Sequence, residues 1–205
     1  MIATDELIAR AEMLCRRIDQ VYASAAGTVG FSCEGCDGEV CCTVDLPLHS
    51  FVEKIYVTMG FRLLEAEKQA QTFDRCAVML KAKQSNPYGE LYRGAVCVLN
   101  FDGLCSVYPY RPMICRLSGI PHVLHTPDGK TTTRGGCSRY ESEIRPRHPD
   151  LRIDRTEFYQ EMAAIEIEII RSLGRRPRSR TIAEVLGGAD PDGELLLGTE
   201  ILSAI

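Results

Sequence analysis

The chain has 205 residues, 45% of them apolar and 25% charged, proportions that suit one folded globular domain with a short extension and exclude a disordered or collagen-like chain. A net charge of −4 leaves no surplus of Lys and Arg to neutralise phosphate, so neither a nucleic acid nor an anionic membrane is expected as a partner. The longest stretch without a charge, the 14 residues Gln20 to Cys33, falls well short of the roughly 20 apolar residues that span a bilayer. The first residues carry acids where an export signal would carry bases and then apolar residues, and a cytoplasmic location is expected.

Taken in chain order, Leu7, Ile8, Ala11, Leu14, Cys15, Ile18, Val21 and Tyr22 recur at three- and four-residue steps and predict an amphipathic helix over 4–25, which Thr4 is placed to cap. The glycine-spaced segment 30–38 suits a loop wrapped around a ligand. Ser50-x-x-Glu53 has capping-box form, and 51–83 reads as two helices broken near Gly60. Residues 84–138 are punctuated by Pro, Gly and Asp, so short strands or turns are expected there. Asp154-x-x-Glu157 predicts a second capped helix, through Phe158, Met162, Ile165 and Ile169, that stops at Gly174. Arg175, Arg176, Arg178 and Arg180 read as a solvated face, followed by a small capped turn at Thr181-Ile-Ala-Glu184. The expected architecture is mainly α: a small helical domain over 1–173 enclosing an irregular, cysteine-rich, metal-binding middle at 30–140 with a few short strands, then a loosely attached appendage at 174–205.

Ten cysteines are too few for a disulfide-built secreted scaffold, where roughly 8–10% of residues are Cys, yet many for a chain among reducing thiols. Eight of them are arranged as Cys33-x2-Cys36-x4-Cys41-Cys42, then Cys97-x7-Cys105-x9-Cys115, then Cys137. A C-x2-C pair in a Gly-rich turn lets two thiolates converge on one metal, and a distant group completes the coordination. All eight are therefore candidate metal ligands. Structural disulfides and buried free cysteines acting as small hydrophobes are the weaker alternatives. Cys15 and Cys76 lie on helical apolar stripes and read as core. The adjacent Cys41 and Cys42 point to different faces, so they serve two centres, or one ligates while the other packs or reacts, or they form a vicinal disulfide.

Around the second group, Asp102-Gly103 suits a tight turn that folds Cys97 back towards Cys105, and Pro112 suits the first turn of a short helix carrying Cys115 and Arg116. A four-thiolate centre carries a charge of about −2, which nearby cations offset. Arg111 and Arg116 are placed to supply that charge, with Tyr108 packing or donating beside them. His122 and His125 read as solvated rather than as ligands. Ser50 lacks a nucleophile elbow, and neither G-x-G-x-x-G nor a P-loop occurs.

The run Cys97-Val-Leu-Asn-Phe-Asp-Gly-Leu-Cys105-Ser-Val-Tyr-Pro-Tyr-Arg-Pro-Met-Ile-Cys115-Arg116, with the upstream C-x2-C-x4-C-C, resembles the YkgJ family of cysteine-cluster proteins, described as zinc- or iron-chelating domains. The likeness covers 33–116 and extends towards Cys137; Asp102-Gly103, Cys105, Val107, Tyr108, Arg111-Pro112 and Cys115-Arg116 stand at family spacing, whereas Val98 replaces the family's usual Pro. The resemblance implies metal binding. Soft thiolates suit zinc and iron–sulfur clusters alike, and the crowded first group leans towards an iron–sulfur cluster. The expected function is a metal-binding protein with one or two thiolate-ligated centres in a redox or accessory role. The alternatives are an enzyme that uses the cluster, either a redox catalyst or one like the flagellin lysine-N-methylases that share this kind of motif, and a structural zinc module for protein interaction.

Overall fold

The computed structural model describes residues 4–32, 42, 48–86, 95–174 and 178–188. Over these residues the fold is mainly helical with a few short strands, as composition and periodicity predict. The predicted first helix is α1, Thr4–Thr28, and its stripe of Leu7, Ile8, Ala11, Leu14, Cys15 and Ile18 is buried while Val21 faces solvent. It packs against the predicted long helix near the C-terminus, Thr156–Leu173. Arg10 pairs with Glu168 and Arg17 with Glu161, so the two run antiparallel. Phe158, Met162, Ile165 and Ile169 line the seam between them, and each fully buried side chain of this size contributes about 1.5–3 kcal/mol.

The start of that helix differs from expectation. Arg155, not Asp154, occupies the N-cap position, and it makes no side-chain cap. Asp154 instead accepts from the Thr156 N–H at 2.9 Å, an Asx turn one residue earlier than a capping box would require. Gly174 ends the helix in the left-handed conformation at φ 66°, where a side chain would be strained.

Helix α2, Phe51–Arg62, has the predicted capping box: the Ser50 hydroxyl accepts from the Glu53 N–H, and the Glu53 carboxylate accepts from the Ser50 N–H at 3.0 Å. Glu166, from the opposite side of the core, accepts from the Phe51 and Val52 N–H groups at 2.9 and 3.2 Å. The unpaired donors of the first turn are thereby satisfied. The chain leaves the helix at Leu63–Glu65 and re-enters one at α3, Ala66–Ser85. The break thus falls near Gly60, as predicted, with a shorter helix before it and a longer one after; Gly60 itself lies within α2, where a Cβ would meet the Tyr110 side chain at 2.6 Å.

Between the helices come a hairpin, β1 Asn100–Phe101 and β2 Leu104–Cys105, a single 3-10 turn at Tyr108–Tyr110, and a short helix, α4, Met113–Arg116. A three-stranded sheet follows in the order β4 (Thr131–Arg134), β3 (His122–His125), β5 (Ile153–Asp154), with β3 antiparallel to β4 and parallel to β5. The long helix Thr156–Leu173 is α5. Residues 178–188, read from sequence as part of a loose appendage, are instead packed into the core. His49 and Arg180 form a β-bridge, and Ala183, Val185 and Leu186 of α6, Ile182–Leu186, are buried against α2 and α3. No helix among the described residues is long and apolar enough to cross a membrane.

Glu184 ties α6 down. Its carboxylate accepts from the Thr181 N–H and hydroxyl, both at 3.0 Å, and from Lys83 of α3 at 2.8 Å. Burial alone raises its pKa, but these donors outweigh it and hold the group below its ordinary 4.5. A depressed carboxyl contributes stability that is present above pH 4.5 and lost as pH falls through the lower, folded value. Glu184→Gln is expected to lose about 1–2 kcal/mol at pH 7 in urea unfolding, with the deficit shrinking below pH 4.5. A deficit independent of pH would contradict this account.

Candidate functional site

Four of the predicted ligands are drawn together by the loops between helices. Cys97 lies next to Cys42, whose carbonyl accepts from the Cys97 N–H at 2.8 Å. From Cys97 the chain enters the β1–β2 hairpin, whose turn residues Asp102 and Gly103 both have positive φ, 53° and 80°, as a two-residue type I′ connection requires. The Asn100 side chain accepts from the Gly103 N–H at 3.1 Å and fixes the turn. Arg75 of α3 donates to the Asn100 carbonyl and stacks over Phe101, 4.0 Å from the ring centroid. The hairpin folds the chain back, as its sequence predicts, so that Cys105 pairs with Asn100 and comes near enough to Cys97 to raise it. Cys115 then arrives on α4.

Cys42, Cys97, Cys105 and Cys115 are free thiols. Burial pushes the Cys97 thiol up to about 12 and raises Cys105 and Cys115 as well, and each is raised further by its neighbours in the group. Cys97 feels Cys42 and Cys105; Cys115 feels Cys97, Cys105 and Cys42. Opposing this, the Leu99 N–H donates to the Cys97 sulfur and the Val107 N–H to the Cys105 sulfur. A backbone donor two residues beyond a cysteine is the arrangement that stabilises a thiolate without a side-chain cation. The four are grouped but do not close on one point: among the described residues no three His, Cys, Asp or Glu side chains are arranged to hold a metal ion.

Cys137 stands apart from this group. Its N–H donates to the Gly119 carbonyl at 3.1 Å, and its sulfur accepts from the Tyr140 N–H at 3.5 Å. It sits beside the end of the 31–32 segment, where Phe31 meets Tyr140 edge-on at 5.6 Å and Arg139 donates to the Ser32 carbonyl at 3.0 Å. Cys33, Cys36 and Cys41 lie outside the described residues. Cys15 and Cys76 are buried, as their stripes predict, at 4% and 0% exposure. Cys76 nevertheless lies near enough to Cys97 to raise it.

The predicted supporting residues take different places from those expected. Arg116 is 2% exposed and spends its donors on Asp19 of α1, on the carbonyls of Pro109 and Arg111 and on Cys15, not on the four candidate ligands. Arg111 lies over the Tyr108 ring, 3.4 Å from its centroid, and 3.7 Å from the other oxygen of Asp19. Tyr108 is 53% exposed and serves as a platform for Arg111 rather than as a wall of the thiol group. Both arginines still lower the Cys105 thiol through their fields. Their contribution is charge at a distance.

Two acids that sequence patterning does not single out for the site hold it in place. Asp19 joins α1 to the segment before Cys115. Glu53, legible only as a cap, has a second oxygen that accepts from the Met113 N–H at 3.0 Å, so one carboxylate fixes the start of α2 and the start of the cysteine-bearing α4. Ala11, Cys15, Val52, Glu53, Tyr56, Arg111, Pro112 and Met162 enclose a void of about 10 Å³ beside it, room for about one water. Its signal in the sequence is weak, because a carboxylate at N3 is fully accounted for by its own helix.

Asp19 is half exposed while Arg116 is buried, so the pair is worth less than a fully buried one. Asp19→Asn is expected to lower unfolding stability by about 1–2 kcal/mol, because Arg116 then keeps its charge with a weaker acceptor. An unchanged urea midpoint would contradict the role given to this pair. Comparison of the chain with protein-family models, with curated proteins and with solved structures returns no match.

Proposed function

We propose that this chain is a metal-binding protein in which Cys42, Cys97, Cys105 and Cys115 hold a thiolate-ligated centre, in the reducing environment of the cytoplasm. The observation that supports the reading is the proximity of four free thiols from three separate segments, with desolvation raising Cys97, Cys105 and Cys115 and backbone N–H donors reaching two of them. Protonated thiols gain nothing from such donors, whereas a thiolate bound to a soft cation gains from each. The donor set suits an iron–sulfur cluster or zinc, and the YkgJ-like spacing agrees with either. Cys33, Cys36, Cys41 and Cys137 remain candidate ligands, of this centre or of a second one.

When bound, an iron–sulfur cluster supplies one-electron chemistry and zinc a closed structural link. In either case the protein's own part is to bring remote segments together, to limit water at the half-buried Cys97, Cys105 and Cys115, and to offset negative charge through Arg111 and Arg116. Loading displaces the thiol protons, and because the site is assembled only in the folded chain, metal binding adds to folding stability.

Anaerobic purification followed by elemental analysis and an electronic spectrum tests the reading. The wild-type chain is expected to carry iron or zinc, Cys97→Ala and Cys115→Ala to lose most of it, and Cys15→Ala to keep it while losing about 1 kcal/mol of stability as a small core truncation. Metal-free wild-type protein, or equal metal content in all the variants, would overturn the assignment.

A further inference from the structure

A group of cations on the β4-β3-β5 sheet takes no part in the thiol site. His122 of β3 and Arg134 of β4 are cross-strand partners, and Arg155, just beyond β5, donates its N–H to the Val123 carbonyl at 2.9 Å, which brings three basic side chains to one end of the sheet. The sequence predicts a solvated His122; the structure buries it to 3% exposure and Arg155 to 6%.

A buried guanidinium is ordinarily matched by a carboxylate, because an unpaired buried charge is among the most destabilising features a fold can carry. Arg155 has no such partner among the described residues. Its Nη1 donates to the Tyr159 hydroxyl at 2.6 Å, and its guanidinium carbon lies 4.6 Å from the Tyr159 ring centroid. Its Nε is buried without an acceptor, and Nδ1 of His122 is buried without a hydrogen-bond partner of either kind. The nearest acid in the chain, Asp154, is engaged with Thr156 and His125. Arg134 is exposed at the rim and makes no ion pair with any described residue. Burial first, and then the charges of Arg155 and Arg134, push His122 down to about 4.

We propose that His122, Arg134, Arg155 and Tyr159 form a binding site for the oxyanion group of a small molecule. A buried guanidinium with an unused N–H, an exposed guanidinium beside it and a buried imidazole nitrogen without a partner offer the donors an oxyanion needs. The planar fork of arginine suits either the carboxylate or the phosphate form of such a group. Arg134 supplies the exposed charge, and Tyr159 holds Arg155 in orientation. Nothing in this inference depends on the thiols binding metal.

Isothermal titration of inorganic phosphate and, separately, of malonate into the purified full chain tests it, at fixed ionic strength and with metal content recorded. Saturable one-to-one binding of at least one probe is expected, with the tighter of the two identifying the class of oxyanion. Affinity is expected to fall about tenfold in Arg134→Gln, the loss of one charged hydrogen-bonding contact, and to vanish in Arg155→Met. Arg134 is exposed, so its variant keeps the test decisive if Arg155→Met fails to fold. Absence of saturable binding of both probes, or equal affinity in wild type and Arg134→Gln, overturns the proposal.

Discussion

One carboxylate sets the frame around the thiol group. Glu53 completes the cap of α2 and, through its other oxygen, anchors the first N–H of α4, so the helix that belongs to the core and the turn that carries Cys115 cannot move independently. Asp19 and Arg116 repeat the device on the other side, joining α1 to the 109–111 carbonyls. Arg75 does the same for the hairpin between Cys97 and Cys105. The hairpin is thus fastened to α3, and the segment that carries Cys115 to α1 and α2, by charged groups. Loops of this kind have too little apolar surface to hold their own shape, and a few charge-assisted hydrogen bonds, each stronger than a neutral one, stand in for packing.

These fastenings explain how thiols come to be buried next to one another. Burial and mutual repulsion both raise Cys97, Cys105 and Cys115; left as thiols they are small hydrophobes, and only a bound cation turns their proximity into a favourable arrangement. The backbone donors at Leu99 and Val107 and the fields of Arg111 and Arg116 all favour the ionised form. Local geometry and long-range charge thus point the same way, and this agreement of independent features is the physical support for the metal-binding reading.

The local elements were legible in the sequence because helix geometry imposes them at short range. Ser50 with Glu53 and Thr181 with Glu184 form their capping boxes, Gly174 takes the left-handed conformation, and Asp102-Gly103 makes the hairpin turn. What was not legible depended on residues far apart. That Tyr110 packs on Gly60 has no local signal; the link from Glu53 to Met113 spans 60 positions and that from Asp19 to Arg116 spans 97. Nothing periodic marks such pairs. The same holds for 178–188, whose arginines and short capped turn read as a loose tail until α2 and α3 supply the surface that buries Ala183, Val185 and Leu186.

The most direct test of the central reading is X-ray absorption at the metal edge of the anaerobically purified chain. The account predicts a first shell of sulfur alone, at about 2.3 Å for zinc and with an additional iron–iron distance for a cluster. A shell of oxygen and nitrogen, or mass-spectrometric detection of disulfides among Cys42, Cys97, Cys105 and Cys115 in freshly prepared protein, would contradict it.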